Sequence, residues 1–177
     1  MIKNFTIQKI YGDAAALKNH ISSFEFKDMF IDSEAVFGEI TDFNMLSAEH
    51  KLLFNSFSPA LEVQEDSGFF RKPFNTIHCE NVPSGRVFVG ICPLTDAKIT
   101  FYKHIETDSE NAFEIDVPVQ EILDDAIHLE KFEETNSINL KAGEVHFFSP
   151  ALWHKIDAEL VQVFFLNFKN EKAIDEN

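Results

Sequence analysis

The stretch that most constrains the fold runs from Gly143 to Phe168, where two apolar runs flank a proline and a histidine. The first run, residues 145–148, has the length of one strand. Pro150 ends that strand, because proline cannot donate a hydrogen bond to a neighbouring strand. The second run, residues 160–168, is long enough for another strand, and His154 lies between the two. The segment predicts strand, tight turn, histidine and strand, with His154 at the mouth of a β-barrel, where it can bind a metal ion.

Further candidate ligands lie far upstream. His78, Cys79 and Glu80 close an apolar stretch that predicts a strand over residues 69–80. Side chains at positions i and i+2 of a strand point to the same face, so His78 and Glu80 should converge while Cys79 points away. With His154 they provide two imidazoles and one carboxylate. That set, on one face of a site with open positions, suits a mononuclear non-haem Fe(II) ion.

His78 and Glu80 could also have a purely structural role instead of binding a metal ion. A His and a Glu two positions apart occur often by chance in any sequence. His78 and Glu80 would also fit a half-exposed strand edge, on which the carboxylate forms an ion pair with Arg71 or Arg86.

A second histidine competes with His154 as the downstream ligand. If the strand over residues 144–148 points its even-numbered side chains inward, His146 could reach the site instead. Val145 and Phe147 look like the buried pair of that strand, and this pattern favours His154.

The residues of both segments resemble a known family. The His-x-Glu pair, the later run G-E-V-x-F-F-x-P-x-x-W-H and the final Asn167-Phe168 resemble the double-stranded β-helix of cupins and Fe(II)/2-oxoglutarate oxygenases, in particular the JmjC-like hydroxylases. The resemblance covers roughly residues 69–168. It implies that His78, Glu80 and His154 bind Fe(II), with 2-oxoglutarate and O2 at the remaining positions.

The residue that would bind the cosubstrate departs from the commonest pattern of this family. Many 2-oxoglutarate oxygenases have an arginine about ten residues after the distal histidine, but Phe164 lies in that zone and no arginine follows Arg86. The JmjC-like group uses a lysine on a strand after the His-x-Glu pair. By position Lys98 is the best match and Lys103 the second, so the resemblance implies Lys98 as the cosubstrate-binding residue.

Two other functional classes compete with an oxygenase. The first is a non-redox cupin, an isomerase, epimerase or lyase of a sugar or other small molecule, in which a histidine serves as general base or the metal as Lewis acid. The missing distal arginine favours this class. The second is a degenerate cupin that binds a ligand without catalysis.

Composition excludes several kinds of partner. The formal net charge of −15 argues against nucleic acid and anionic membrane surfaces, which need a basic face, and leaves a small-molecule substrate. The chain has no apolar run near the length of a membrane span, and its first ten residues lack a secretory pattern. Cys79 and Cys92 do not make a disulfide framework. We therefore expect a cytoplasmic protein, and the resemblance to cupins implies a homodimer as one possible assembly.

The 177 residues are most simply one domain of mostly β, jelly-roll type with a few peripheral helices. Residues 1–60 would form an N-terminal α/β embellishment, residues 61–168 the barrel, and residues 169–177 a polar tail. The apolar spacing predicts helices over residues 14–21, 48–57 and 119–127.

Overall fold

The computed structural model describes residues 8–9, 11–32, 35–42, 61–64, 67–71, 77–79, 86–111 and 129–168. Within these ranges lie eleven strands, one α-helix and a 3-10 helix over Leu129–Lys131. The elements in chain order are β1 (Gln8–Lys9), α1 (Ala14–Ile21), β2 (Lys27–Asp32), β3 (Ala35–Asp42), β4 (Leu61–Val63), β5 (Gly68–Arg71), β6 (Arg86–Pro93), β7 (Ala97–His104), β8 (Phe132–Leu140), β9 (Glu144–Phe148), β10 (His154–Asp157) and β11 (Leu160–Phe168). Their pairings are all antiparallel, and the mostly β class predicted from the sequence is confirmed.

The described strands form a large and a small sheet. The large sheet has the order β1-β9-β6-β11-β5-β3-β2, with β4 paired to the far end of β11. Strand β11 is central, since it pairs with β6 along one edge and with β5 and β4 along the other. Its residues 160–166 are all buried, which explains why it is an almost continuous apolar run.

The space between the two sheets holds the main core, here called the barrel interior. Val161, Val163 and Phe165 of β11 pack there against Ile99 and Ile156 of the small sheet. Because β11 alternates, its other side chains must face away from the small sheet. The large sheet is therefore buried on both faces.

The second buried layer lies between the large sheet and α1. Asp13 caps the helix, since its Oδ1 accepts a hydrogen bond of 2.9 Å from the backbone nitrogen of Ala16. Leu17 and Ile21 recur at helical spacing and pack in the same cluster as Phe164 of β11. The helix predicted over residues 14–21 is confirmed, and it covers the outer face of the large sheet.

The turn before β9 has the glycine that its backbone requires. Gly143 has a φ of 84°, a region that side chains with a Cβ rarely adopt. A Cβ there would also lie 2.5 Å from the carbonyl oxygen of Tyr11. The predicted turn therefore packs against Tyr11, which precedes α1, at the start of β9.

The small sheet has the order β10-β7-β8. An isolated antiparallel bridge between His78 and His154 adds a further short segment beside β10. The sequence did not predict β10 itself, which begins at His154 and pairs with β7.

One sequence prediction differs from the structure. The strand predicted over residues 69–80 is divided, because Gly68–Arg71 pairs in the large sheet whereas His78 pairs in the small one.

Other predictions fall outside the described residues. These are the helices over residues 48–57 and 119–127 and the tail over residues 169–177. The single-domain interpretation and its boundaries stay predictions. In the part of the chain that the structure describes, no helix is long and apolar enough to cross a bilayer.

Candidate metal centre

His78 and His154 meet directly inside the barrel. The backbone nitrogen of His78 donates to the carbonyl oxygen of His154 at 2.9 Å, and the nitrogen of His154 donates to the oxygen of His78 at 2.8 Å. Directly opposed residues of an antiparallel pair carry their side chains on the same face. The two ring centroids lie 4.2 Å apart with planes inclined at 54°. The structure thus brings together the two histidines that the sequence singled out.

The environment of His154 fixes the state of its ring. The side chain is completely buried, and its Nδ1 lies 2.9 Å from the carbonyl oxygen of Leu152. A carbonyl oxygen only accepts, so Nδ1 donates and the neutral ring carries its lone pair on Nε2. Metal-binding histidines almost always donate the other ring N–H to a carboxylate, a backbone carbonyl or a water, and the ring of His154 is held in this way by Leu152.

Electrostatics keep His154 in the form that a metal ion needs. Burial lowers the pKa of His154 well below its usual value, and the neighbouring His78 lowers it further, while the carbonyl of Leu152 acts in the opposite direction. The imidazole is therefore neutral at pH 7, as metal coordination requires.

Aromatic side chains form the wall around the histidine pair. The ring of Phe148 meets His154 edge-on at 4.7 Å, and Phe101 meets Phe148 edge-on at 5.3 Å. Phe101 also pairs with His154 across β7 and β10. These rings make the surroundings of the imidazoles apolar.

The residues that flank the two histidines lie on the opposite face of the small sheet, here called its outer face. Ile77, Cys79, Phe132 and Trp153 form a separate buried cluster there. Cys79 and Cys92 are both buried and not joined by a disulfide. The alternation predicted for residues 77–79 therefore matches the structure, with Cys79 directed away from His78.

The third predicted ligand, Glu80, lies outside the described residues. Within the described ranges, no group of three or more His, Cys, Asp and Glu side chains is arranged to hold a metal ion. A site built on His78 and His154 needs at least one ligand from elsewhere. Glu80, two positions after His78, stays the predicted source of that ligand.

His146 faces the barrel interior, contrary to the pattern that favoured Val145 and Phe147 as the core pair of β9. Its ring stacks on Phe148 at a centroid distance of 5.9 Å and meets Phe101 edge-on at 6.2 Å. Val145 is buried as well, but in the layer under α1, where Phe147 also packs. Burial on both faces of the large sheet made the apolar alternation ambiguous.

Lys98 is directed away from the histidines. It follows Ala97 and precedes Ile99, which faces the interior, so its own side chain lies on the outer face of the small sheet. Its Nζ is 3.8 Å from Glu134, and the side chain is 44% exposed. The second candidate, Lys103, forms ion pairs with Asp108 and Glu133. Lys98 is thus not brought to the histidine pair, and both lysines are paired with carboxylates.

The chain matches no known family model and no curated protein. Solved structures of similar fold exist. SnoN, a non-haem α-ketoglutarate-dependent epimerase of nogalamycin biosynthesis, is 13% identical with a TM-score of 0.56, over 92% of this chain and 77% of SnoN. HygX from Streptomyces hygroscopicus, solved with nickel and 2-oxoglutarate bound, is 10% identical with a TM-score of 0.57, over 93% and 82% of the two chains. The likeness is one of fold, and it confirms the predicted cupin-like double-stranded β-helix.

Proposed function

We propose that this protein is a mononuclear metal enzyme of cupin type, an Fe(II)/2-oxoglutarate-dependent oxygenase that hydroxylates a small molecule or a protein side chain. His78, Glu80 and His154 are the proposed ligands. The observation that carries the proposal is the reciprocal backbone pairing of His78 with His154, which sets two imidazoles side by side in the barrel interior.

The residues present fit a metal ion. Two buried imidazoles lie side by side with their centroids 4.2 Å apart, and the ring of His154 is oriented through Nδ1 by a backbone carbonyl. Imidazole nitrogen and carboxylate oxygen together suit Fe(II). When bound, Fe(II) with 2-oxoglutarate and O2 supplies the oxidising chemistry that converts a C–H bond into an alcohol.

The chain's own residues would prepare this site. The carbonyl of Leu152 holds His154 in one tautomer, and the backbone bridge holds His78 beside it. Phe148 and Phe101 would line the wall of the interior beside His154 with apolar rings.

The solved structures of similar fold support the cofactors of the proposal. Bound metal together with 2-oxoglutarate or α-ketoglutarate is present in HygX with nickel and in SnoN with Fe3+. Both proteins were also solved with natural products, hygromycin B and nogalamycin RO. A small-molecule substrate is therefore the first choice for this chain.

One observation favours a second function, a non-redox cupin such as an epimerase or isomerase. Val161, Val163 and Phe165 of β11, which face the barrel interior after His154, are apolar, and β11 contains no lysine or arginine. A strand of this kind offers no cation for the second carboxylate of 2-oxoglutarate. A metal that acts only as a Lewis acid would need no such cation.

The test measures metal content in protein purified without chelator and reloaded anaerobically with Fe(II). His154→Ala is compared with His104→Ala, which removes a buried histidine of the same sheet on its outer face. We expect near-stoichiometric iron in the wild type and in His104→Ala. In His154→Ala we expect the affinity for iron to fall more than about 100-fold. Loss of only the hydrogen-bond partner of a metal ligand already lowers metal affinity by up to about 100-fold, and loss of the ligand itself should cost more.

Addition of 2-oxoglutarate to the anaerobic Fe(II) protein then separates the two functions. A weak visible charge-transfer band identifies the oxygenase, whereas bound iron without the band favours the non-redox enzyme. Wild-type protein that binds no metal would contradict both and leave a non-catalytic binding module.

A further inference from the structure

His146 is a buried polar side chain in an apolar wall. It lies in β9, where its backbone is in register with Ile91 of β6, so the strand holds it rigidly within the large sheet. The side chain is 2% exposed. Its ring is enclosed by Phe148, stacked at 5.9 Å, and by the edge of Phe101 at 6.2 Å.

Neither nitrogen of this ring has a hydrogen-bond partner in the described part of the chain. Burial of a polar group without a partner is costly, and each such group in a native protein calls for an explanation. A phenylalanine or leucine would fill the same position at lower cost. The presence of an imidazole at this position therefore points to a ligand that it binds.

The ring of Phe148 links His146 to the candidate metal centre. One side of Phe148 stacks on His146, and the same ring meets His154 at 4.7 Å. His146 thus borders the same interior as the His78–His154 pair.

We propose that His146 binds the organic-acid ligand of this centre, by donating a ring N–H to a carboxylate oxygen of 2-oxoglutarate. This inference rests on the proposed function. A carboxylate only accepts hydrogen bonds, and a neutral imidazole offers one N–H donor. In an apolar environment such a bond to a charged acceptor is stronger than in water. His146 would take part of the role for which the sequence suggested Lys98, from the large sheet instead of the small one.

The test is a titration of anaerobic Fe(II)-loaded protein with 2-oxoglutarate, followed by the visible band. His146→Phe and His146→Leu both remove the donor and keep an apolar side chain, so that one can replace the other if it does not fold. We expect the dissociation constant for 2-oxoglutarate to rise roughly 10- to 100-fold, which corresponds to the loss of a hydrogen bond to a charged group. His146→Gln restores a donor and should recover part of the affinity.

His104→Gln is the matched control, because it changes a buried histidine on the outer face of the small sheet and should leave the titration unchanged. Iron content should remain that of the wild type in every variant. An unchanged dissociation constant in His146→Phe and His146→Leu would overturn the proposal. Loss of iron from these variants would overturn it as well, and would make His146 a metal ligand.

A failure of the proposed function would be recognised separately. If the wild type binds no iron, the shift of its melting temperature by 2-oxoglutarate is measured without metal. A shift that His146→Phe and His146→Leu abolish would support His146 as an organic-acid site in a protein that is not a metal enzyme. No shift in the wild type would overturn the assignment of His146 together with the metal centre.

Discussion

Each face of the small sheet buries a histidine, but the side chains that contact the two histidines differ. On the outer face, His104 packs edge-on against Phe132, and its Nδ1 lies 3.2 Å from the hydroxyl of Thr107 in the following turn. On the inner face, His154 meets another imidazole at 4.2 Å. Packing and a local hydrogen bond account for the first histidine. The second lies against a group that repels its charged form, which packing alone does not explain.

Burial by itself therefore does not identify a functional histidine. Both side chains are less than a tenth exposed, at 6% for His104 and 0% for His154. What separates them is the neighbour that each residue acquires from a distant part of the chain. The outer face should therefore control stability, and the inner face should control ligand binding.

The largest stability effect is expected on the outer face. Trp153 is fully buried and meets the ring of Phe132 edge-on at 5.0 Å. Trp153→Ala should lower the free energy of unfolding by about 3–5 kcal/mol, because it leaves a cavity in a packed cluster. Denaturant unfolding measures the loss. Ile105→Ala, a change at an exposed position, is the control and should alter stability by less than about 0.5 kcal/mol.

Iron binding should not depend on the outer face of the small sheet. Trp153→Phe keeps an aromatic ring and should bind iron like the wild type, because Trp153 packs in the outer-face cluster against Phe132. A Trp153→Ala protein that is as stable as the wild type would show that the outer face does not control stability.

An intermediate effect is expected from pH on metal-free protein. Burial lowers the pKa of His154 and of His146 in the folded state, so the unfolded chain binds more protons than the folded one just below pH 6.5. The stability that both rings contribute is fully present above their unfolded pKa and is lost as the pH falls below about 6.5. For each proton the slope approaches about 1.4 kcal/mol per pH unit.

Variants of the inner face should reduce this slope. His146→Phe removes one of the two groups and should also raise stability at neutral pH, by about 1–3 kcal/mol, because two buried nitrogens without partners disappear. His20→Gln, which changes an exposed side chain, is the control. Denaturant unfolding between pH 5 and pH 7.5 supplies the data. An identical slope in the wild type and His146→Phe would contradict the account of His146 as a buried neutral ring.

The smallest effect is expected from Lys98. Its ion pair with Glu134 is long, at 3.8 Å, and both side chains are about half exposed. Lys98→Met should change stability by less than about 1 kcal/mol, as is usual for surface ion pairs. It should also leave the affinity for 2-oxoglutarate unchanged. A tenfold loss of that affinity would indicate that Lys98 binds 2-oxoglutarate and would contradict its placement on the outer face.

Much of the candidate site could be anticipated, for reasons visible in particular residues. Gly143 and Pro150 limit β9 through backbone chemistry, which is local. His154 follows that turn, and the resemblance to cupins connected it to His78. The single strand predicted over residues 69–80 was wrong, because Gly68–Arg71 and His78 belong to different sheets. Sheet membership depends on distant partners, which the local sequence does not show.

Local patterns in the sequence were sufficient to predict β9, β11, the turn at Gly143, the helix over residues 14–21 and the alternation of side chains along a strand. These follow from backbone preferences and from the spacing of apolar residues. Which side of each strand became the interior depended on the tertiary structure. Because α1 covers the outer face of the large sheet, Val145 is buried on that face while His146 faces the barrel interior. The backbone bridge to His154 places His78 beside it. Such choices depend on contacts between distant segments, and no local pattern encodes them.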